Sequence, residues 1–191
     1  MNKNNIEIWM MQRGVSFLRN IGIQPNQTIL DFGCGEGMYS IPAARVVGDG
    51  GIVYAVDSNR DAIAKLVENA KFEGLENITS IEKRGHSKLK LKDASVDTVL
   101  LYDVLHYLDV DERKTLYDDI YRILKENGLL SVYPKHNKQD WPLGHLSDMR
   151  LLDVIKEIEE ENFYFEKKSL VKLIHDYDYD KGYVLSFRKN I

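Results

Sequence analysis

Three glycines on alternate positions directly follow a short apolar segment, and this feature restricts the possible folds of the chain more than any other. The apolar segment is Ile29-Leu30, which ends in an acid and leads into Gly33, Gly35 and Gly37. Because glycine has no Cβ, the backbone at these positions can adopt positive φ angles and lie close to a ligand. Such a turn between a strand and a helix is typical of α/β folds that bind nucleotides. The sequence therefore predicts a ligand site at the carboxyl end of the first strand.

A second apolar segment ends in an acid that suits the same ligand. Residues 51–56 are followed by Asp57, which lies twenty positions after Gly37. A carboxylate at the end of a second strand suits a ribose, because its two oxygens can accept hydrogen bonds from two adjacent hydroxyls. A dinucleotide-binding turn would need a glycine where Met38 stands, and the Gly-Lys-Ser/Thr of a phosphate-binding loop is missing. We therefore expect a nucleoside-containing cofactor, and a nucleotide-linked dehydrogenase is the alternative that Met38 disfavours.

The bulk composition indicates one globular domain. The chain has 191 residues, of which 43% are hydrophobic and 29% charged, enough to bury a sizeable core. A net charge of −4 disfavours binding to nucleic-acid backbones, which attract basic surfaces. No apolar stretch resembles a membrane span or a signal peptide, and the single cysteine, Cys34, fits a reducing cytoplasm. We expect a cytoplasmic single domain over 1–191, with an N-terminal helical lid segment at 1–23 and the core at 24–191.

Predicted strands and helices alternate along the chain, which is the pattern of an open parallel sheet covered by helices on both faces. The predicted strands are 28–32, 52–56, 77–83, 97–101, 129–133, 163–168 and 183–188. The predicted helices are 6–18, 36–47, a segment capped by Ser58, a segment capped by Asp109 or Asp111 and ended by Asn127-Gly128, and a segment around 151–158. We expect the last two strands to form a closing antiparallel pair around the acidic residues 176–180.

The order of the motifs resembles that of the class I S-adenosylmethionine-dependent methyltransferases, from about Gln24 to Arg188. Residues 31–37 resemble the first motif of that family, acid-x-Gly-x-Gly-x-Gly, and Asp57 resembles the acid that holds the ribose hydroxyls. Three later segments also resemble the family. Residues 85–87 with 94–97 resemble its connection from strand three into strand four, and 101–108 resemble the end of its strand four with the turn that follows. Residues 124–130 resemble its leucine-lysine-proline-glycine-glycine signature, with Glu-Asn-Gly in place of the proline and glycines. The resemblance implies a Rossmann-like three-layer α/β sandwich, whose seven-stranded, mostly parallel sheet has an antiparallel last strand. It also implies S-adenosyl-L-methionine as the cofactor, bound over the carboxyl ends of strands one, two and four.

The chemistry of this cofactor matches particular groups of the first motif. The helix that opens after Gly35 offers unpaired backbone N–H groups to the methionyl carboxylate, and Asp31 has the opposite charge to the methionyl amine. Tyr39, one turn into the helix, either closes the methionyl side or only packs at the helix start. The predicted cofactor-binding residues are Asp31, Gly33, Cys34, Gly35, Tyr39, Asp57, Ser58, Asn59, His86, Ser87, Tyr102 and Asp103.

Two members of this set have alternative interpretations. The family often has an acid at the position of His86, where it accepts from the adenine amino group. A neutral histidine can also accept there, the backbone of His86 and Ser87 can suffice, or His86 is a surface loop residue. Cys34 has no partner base nearby in sequence, so a small residue packed beneath the cofactor is favoured over a nucleophile.

The sequence also contains candidates for a catalytic base. A sulfonium already activates the methyl group, so a ready nucleophile needs mainly alignment, which can supply about 7–11 kcal/mol of the barrier. A hydroxyl or ammonium acceptor would gain a further factor of about 10²–10⁴ from a base. His106, just past strand four, is the first candidate, and a structural role is its alternative. His136, after strand five, is the second candidate, with Asp103 and Tyr133 nearby.

A lid and a small acceptor complete the predicted site. Trp9, Trp141 and His145 are the candidates for the lid, and simple packing is the alternative for Trp9. The Asn-Pro-Pro-Tyr signature of amino-methylating nucleic-acid enzymes is absent after strand four, and one cysteine disfavours the arsenic-methylating relatives. The five histidines lack metal-ligand spacing, so we expect no metal. The predicted function is methyl transfer to a small-molecule acceptor, with no membrane partner. A nucleic-acid partner is disfavoured, and a protein or RNA acceptor is the alternative within this function. The alternative is a non-catalytic S-adenosylmethionine-binding sensor or partner subunit.

Overall fold

The computed structural model describes residues 3–83, 85 and 88–190 of the chain. The strands in this part are Thr28–Phe32 (β1), Ile52–Asp57 (β2), Ile78–Glu82 (β3), Val96–Tyr102 (β4), Leu124–Tyr133 (β5), Phe163–His175 (β6) and Asp178–Lys189 (β7). They form a seven-stranded sheet in the order β3-β2-β1-β4-β5-β7-β6. The pairs β1–β2, β2–β3 and β4–β5 are parallel, whereas β5–β7 is antiparallel. The predicted Rossmann-like, mostly parallel sheet with an antiparallel last strand is confirmed.

Helices separate most of the strands. The α-helices are Lys3–Ile8 (α1), Gly14–Ile21 (α2), Ser40–Val47 (α3), Arg60–Phe72 (α4), Val110–Ile123 (α5) and Leu151–Glu159 (α6). A π-helical turn at Trp9–Arg13 joins α1 to α2, and short 3₁₀ turns lie at Leu105–Tyr107 and Gly144–Leu146. Within the described ranges, no helix combines the length and the apolar character that crossing a bilayer would need.

The chain divides into two compact units. The first contains Met1–Arg84 and Lys172–Lys181, and the second contains Gly85–Val171 and Gly182–Ile191. The tip of the β6–β7 hairpin thus belongs to the first unit and the base of the hairpin to the second. The single domain over 1–191 and the lid at 1–23 stay predictions.

The core of the first unit is built on β1 and β2. Ile29, Val53 and Ala55 are completely buried. Burial on both faces is expected of a central parallel strand, because helices lie over both sides of such a sheet. The register pairs Phe32, the last residue of β1, with Val56, the next-to-last residue of β2. The glycine turn and the end of β2 therefore lie next to each other.

The core of the second unit is built on β4, β5 and β7. Val132 of β5 pairs with Leu185 of the antiparallel strand β7, and both are completely buried. Arg113 of α5 is 3% exposed and donates two hydrogen bonds to Glu157 of α6, at 2.8 and 2.7 Å. A bidentate pair of this kind fixes geometry as well as charge. It therefore sets the position of α5 against α6.

Two helices begin later than their sequence predicts. The helix expected at 36–47 begins at Ser40, because Pro42 has no N–H and is tolerated only in a first turn. The N-cap of α4 is Asn59 rather than Ser58, since the Asn59 side chain accepts from two amides of the first turn. An N-cap asparagine satisfies donors that would otherwise lack a partner.

Helix α5 has the predicted start but an earlier end. Its N-cap is Asp109, one of the two predicted caps, and this residue also forms a capping box with Glu112. The helix ends at Ile123 rather than at Asn127, because Leu124 is extended and pairs with Val96 of β4. Asn127 does adopt the left-handed conformation, with φ of 56°, but it does so within the β5 segment.

Candidate functional site

The glycine turn has the backbone geometry that its sequence predicts. Gly33, Gly35 and Gly37 have φ angles of 80°, 51° and 94°, in the left-handed region that favours glycine. The amides of Gly33 and Cys34 donate to the carbonyl of Val56 at 2.7 and 3.0 Å, which fixes the turn against the end of β2. A Cβ placed on Gly35 would meet open space. The main chain at Gly35 is therefore accessible to a ligand.

Asp57 is held by two backbone amides, one on each carboxylate oxygen. Oδ2 accepts from the amide of Gly35 at 2.8 Å, and Oδ1 accepts from the amide of Asn59 at 2.8 Å. Because a carboxylate oxygen can accept two hydrogen bonds, each oxygen retains one position for a further donor. Asp57 is only partly buried. The fixed carboxylate can therefore still be reached by a ligand, as pairing with two ribose hydroxyls requires.

Asp31 lies in the interior of the first unit. The residue is 2% exposed, and its Oδ2 accepts from the hydroxyl of Ser40, the first residue of α3, at 2.5 Å. Burial raises the pKa of Asp31 to about 7; the Ser40 hydrogen bond opposes this shift and the charge of Asp57 adds to it. The carboxyl group thus connects β1 to α3. Its contact with the methionyl amine stays a prediction.

Cys34 is a packed residue of the turn. It is 6% exposed and lies in a cluster with Ala55 and Leu66. Burial raises the pKa of its thiol, so the nucleophilic thiolate is disfavoured at neutral pH. Both observations agree with the packed role that the sequence favours.

Tyr39 and Trp9 contact each other and other parts of the first unit. The Tyr39 hydroxyl donates to the carbonyl of Ile174 at 2.9 Å, and its ring packs edge-on against that of Trp9, with centroids 5.4 Å apart. Trp9 is 1% exposed, and its indole N–H donates to the carbonyl of Met38 at 2.7 Å. The structure thus gives Trp9 the packing role rather than that of an exposed lid.

Ser58 and Asn59 directly follow β2 and are predicted to contact the nucleoside. Ser58 and Asn59 are exposed, and Asn59 caps α4. Their predicted contacts with the nucleoside stay predictions. His86 and Ser87 lie outside the described residues, and so does the predicted adenine contact that depends on them.

One contact of the glycine turn was missed by sequence reasoning. Strands β6 and β7 extend to a tight turn at Asp176 and Tyr177, with φ of 47° and 69°, where the sequence predicts a longer acidic loop. Tyr177 is hydrogen-bonded to Glu36, and Lys65 Nζ donates to Glu36 Oε1 at 2.6 Å. Burial, together with this hydrogen bond, raises the pKa of Tyr177. No local pattern relates a hairpin tip to a turn so distant in the sequence.

Two histidines of the second unit share one carboxylate after the ends of β4 and β5. Asp103 Oδ1 lies 3.4 Å from His106 Nδ1 and 3.6 Å from His136 Nε2. The two imidazole rings meet edge-on, with centroids 4.5 Å apart. Asp103 and His136 have φ angles of 57° and 66°. Such conformations cost about 1–3 kcal/mol in non-glycine residues and cluster at functional sites.

The hydrogen bonds of His136 define how its ring can act. Nδ1 lies 2.8 Å from the carbonyl oxygen of Trp141, so this nitrogen carries the proton that is donated. Nε2, on the side of Asp103, is then the nitrogen that can accept a proton. The carboxylate of Asp103 would stabilise the imidazolium formed in this way.

His106 and Tyr102 are interior residues, unlike His136. His106 is 2% exposed and its ring lies 3.8 Å from that of Tyr107, whereas the His136 side chain is 14% exposed. Tyr102 is 4% exposed, and its hydroxyl lies 2.7 Å from Ser131 Oγ. His106 is therefore less accessible than His136, and Tyr102 belongs to the core. The predicted roles of these residues in catalysis and cofactor binding stay predictions.

The other predicted acceptor residues differ in exposure. Tyr133 is 1% exposed and belongs to the core. Trp141 and Tyr107 are 77% and 72% exposed, and His145 is exposed as well. The second unit thus presents aromatic surface in the two segments that carry its histidine pair.

A Rossmann-like sheet with a glycine turn after β1 and an acid at the end of β2 defines an α/β protein of the nucleoside-binding class. The family model described as "Methyltransferase domain" matches residues 29–128, just over half of the chain. The chain belongs to this family, the class I S-adenosylmethionine-dependent methyltransferases. The resemblance seen in the motifs is confirmed, and so is S-adenosylmethionine as the cofactor of the family.

Two curated relatives show how far the similarity extends. An arsenite methyltransferase of Halobacterium salinarum is 33% identical over 109 residues, which cover 56% of this chain and 27% of the relative. A carboxy-S-adenosyl-L-methionine synthase of Shewanella loihica is 30% identical over 132 residues, covering 69% of this chain and 54% of the relative. The chain thus spans between about a quarter and about half of the length of these relatives.

The fold is shared with solved structures over nearly the whole chain. A crystal structure of a SAM dependent methyltransferase from Aquifex aeolicus has a TM-score of 0.75 at 19% identity, and 98% of each chain is covered. At this identity the likeness shows the fold alone.

Proposed function

We propose that this protein transfers a methyl group from S-adenosylmethionine to a small-molecule acceptor. The observation that carries the proposal is the carboxylate of Asp57, fixed by the amide of Gly35 within a turn of left-handed glycines. An oriented pair of acceptor oxygens suits a ribose diol, and open backbone suits a ligand that lies against the main chain. The family assignment of residues 29–128 supports the same cofactor independently.

The cofactor side of the proposal assigns a role to each group of the turn. S-adenosylmethionine supplies a methyl group that its sulfonium has already activated. Asp57 would accept from the ribose hydroxyls, and the main chain at Gly35, where a Cβ would meet open space, would be accessible to the methionyl group. Asp31, in its ionised form, attracts the methionyl amine directly or through water, while its bond to Ser40 holds the start of α3 in place.

On the acceptor side we place His136 as the base and Asp103 as its partner. His136 Nε2 accepts the proton of an acceptor hydroxyl or ammonium group. Once deprotonated, the acceptor atom would be able to attack the activated methyl group of bound S-adenosylmethionine, with the thioether as the leaving group. Asp103, 3.6 Å from Nε2, stabilises the imidazolium. A base of this kind contributes a factor of about 10²–10⁴ to the rate.

Charge and surface chemistry favour a small acceptor that contains an apolar or aromatic group. The net charge of −4 gives no support for a nucleic-acid acceptor. Trp141 and Tyr107 offer exposed rings in the segments that carry the histidine pair, and aromatic faces bind apolar rings and cations. Arsenite, which the name of one relative specifies, is disfavoured because the only cysteine, Cys34, is buried.

Titration calorimetry with S-adenosylmethionine, its demethylated product and NAD tests the cofactor directly. We expect both sulfur nucleosides to bind and NAD not to bind. If neither sulfur nucleoside binds, the proposed cofactor is wrong. Tight binding of NAD would favour a dehydrogenase.

A screen with S-adenosylmethionine that carries a tritiated methyl group tests the transfer. Metabolite pools, RNA and protein are incubated separately with the protein, and label is expected in a low-molecular-weight product. Label in RNA or protein would contradict the small acceptor but not the reaction. Binding without label in any pool would favour the non-catalytic sensor.

A further inference from the structure

Pro42 creates a specific gap in the hydrogen bonds that follow the glycine turn. It is the third residue of α3, and the amides of Ile41 and Ala43 on either side donate to the carbonyls of Gly37 and Tyr39, each at 3.0 Å. By the same helical pattern the amide of residue 42 would donate to the carbonyl of Met38. Proline has no N–H, so this carbonyl has no donor within its own helix.

Trp9 supplies the missing donor from a distant part of the sequence. Its indole N–H donates to the Met38 carbonyl at 2.7 Å, and the residue is 1% exposed. The same indole packs edge-on against the ring of Tyr39, with centroids 5.4 Å apart. Trp9 therefore contacts two consecutive residues of the segment that connects the glycine turn to α3.

Gly14 makes this close approach possible. Its amide donates to the carbonyl of Trp9 at the end of the π-helical turn. A Cβ on Gly14 would lie 2.8 Å from that carbonyl oxygen and 2.9 Å from Pro42 Cγ, closer than real Cβ contacts allow. Trp9, Gly14 and Pro42 thus form one tightly fitted contact, which we call the tryptophan–proline contact.

We infer that Trp9 is a positioning residue for the cofactor turn: its indole N–H replaces the amide that Pro42 lacks and so holds the main chain between Gly35 and Ser40. The inference rests on the proposed function, because it concerns the same turn. A π-helical turn is an uncommon conformation that often marks functional sites. Here Trp9 is the first residue of such a turn, and its indole donates to the Met38 carbonyl. The cofactor site requires the indole N–H of Trp9 and not only the apolar packing of its ring.

The decisive variants are Trp9→Phe, Pro42→Ala and the two combined. Trp9→Phe keeps an aromatic ring but removes the N–H, and we expect affinity for S-adenosylmethionine to fall about tenfold, the effect of a partly buried carbonyl left without its donor. Pro42→Ala introduces a backbone N–H in the position to donate to Met38. In that background Trp9→Phe should change the affinity by less than about twofold.

Phe17→Leu is the matched packing control. The Phe17 ring packs against that of Trp9, with centroids 6.0 Å apart, so its truncation loosens the same core without removing the N–H. We expect it to lower the melting temperature and to leave the affinity for S-adenosylmethionine unchanged. Equal losses of affinity in Trp9→Phe and Phe17→Leu, or no rescue by Pro42→Ala, would overturn the inference.

Hydrogen exchange in the absence of cofactor separates this inference from the proposed function. The amide of Ile41 donates to Gly37 at the end of the turn. We expect its exchange to be about tenfold faster in Trp9→Phe and to return to the wild-type rate in the double variant. If the wild-type protein does not bind S-adenosylmethionine, the proposed function fails while this measurement still decides on Trp9. Unchanged exchange in Trp9→Phe would overturn the positioning role.

Discussion

The glycine turn and the histidine pair are both candidate binding regions, but they are built in opposite ways. The turn offers mainly backbone groups and the Asp57 carboxylate, all within residues 31–57, and its shape depends on the left-handed φ angles of three glycines. The histidine pair offers side chains, with His136 and Asp103 contributed by separate segments after β4 and β5. A region made of backbone is recognisable from spacing, whereas a region made of side chains is free to vary with its ligand. The cofactor is therefore easier to infer than the acceptor.

His136→Asn tests whether the side-chain region performs the chemistry. Asparagine keeps an N–H where Nδ1 donates to Trp141 and tolerates the φ of 66°, but it cannot act as a base. We expect kcat for the acceptor identified by the tritium screen to fall about 10²–10⁴-fold. Affinity for S-adenosylmethionine should not change by more than about twofold. Nearly full activity in this variant would mean that the acceptor is a ready nucleophile that needs no base.

Asp31→Asn tests the buried acid that supports the backbone region. Because the pKa of Asp31 is raised to about 7 on folding from 3.8, the folded protein binds the proton more tightly than the unfolded chain. The free energy of unfolding should therefore be highest below the unfolded pKa and should fall as pH rises towards 7, by on the order of 4 kcal/mol. The variant lacks this titration.

Denaturant unfolding of both proteins from pH 4 to pH 8 measures the difference. Other groups titrate in both proteins and cancel when the two curves are subtracted. We expect the variant to gain stability relative to the wild type as pH rises. Parallel curves would show that Asp31 is ionised in the folded protein across this range.

Asp57→Ala tests the carboxylate that the backbone region offers to the ribose. We expect affinity for S-adenosylmethionine to weaken by about 1–3 kcal/mol, because the amides of Gly35 and Asn59 and the ribose hydroxyls all lose their acceptor. Asp61→Ala, an exposed acid in the first turn of α4, removes the same charge and should have little effect. Similar affinity in the two variants would place the ribose elsewhere.

The features of the glycine turn could be predicted from the sequence, whereas the burial of the histidine pair could not. The glycine conformations, the Asp57 position and the mostly parallel sheet follow from local spacing, since each depends on residues within one or two neighbouring elements. The start of α3 at Ser40 was also open to local reasoning, because a proline in the interior of a predicted helix indicates a later start. The burial of His106 could not be predicted in this way, because it depends on packing in the core.

Long-range contacts of the turn lie beyond any local pattern. Trp9 reaches the Met38 carbonyl from a π-helical turn, and Tyr177 reaches Glu36 from a hairpin tip. The spacing of Trp9 and Met10 indicates only a packed face, and the acidic composition around Tyr177 indicates only a loop. Neither pattern specifies a hydrogen-bond partner.

The sequence by itself determined the fold and the kind of cofactor, because glycine φ preferences and strand-helix alternation act over short distances along the chain. Only the tertiary structure decided which histidine is accessible, that Asp31 is a buried acid, and which distant side chains complete the turn. These properties depend on desolvation and on contacts between segments far apart in the chain, and no local pattern of residues encodes them.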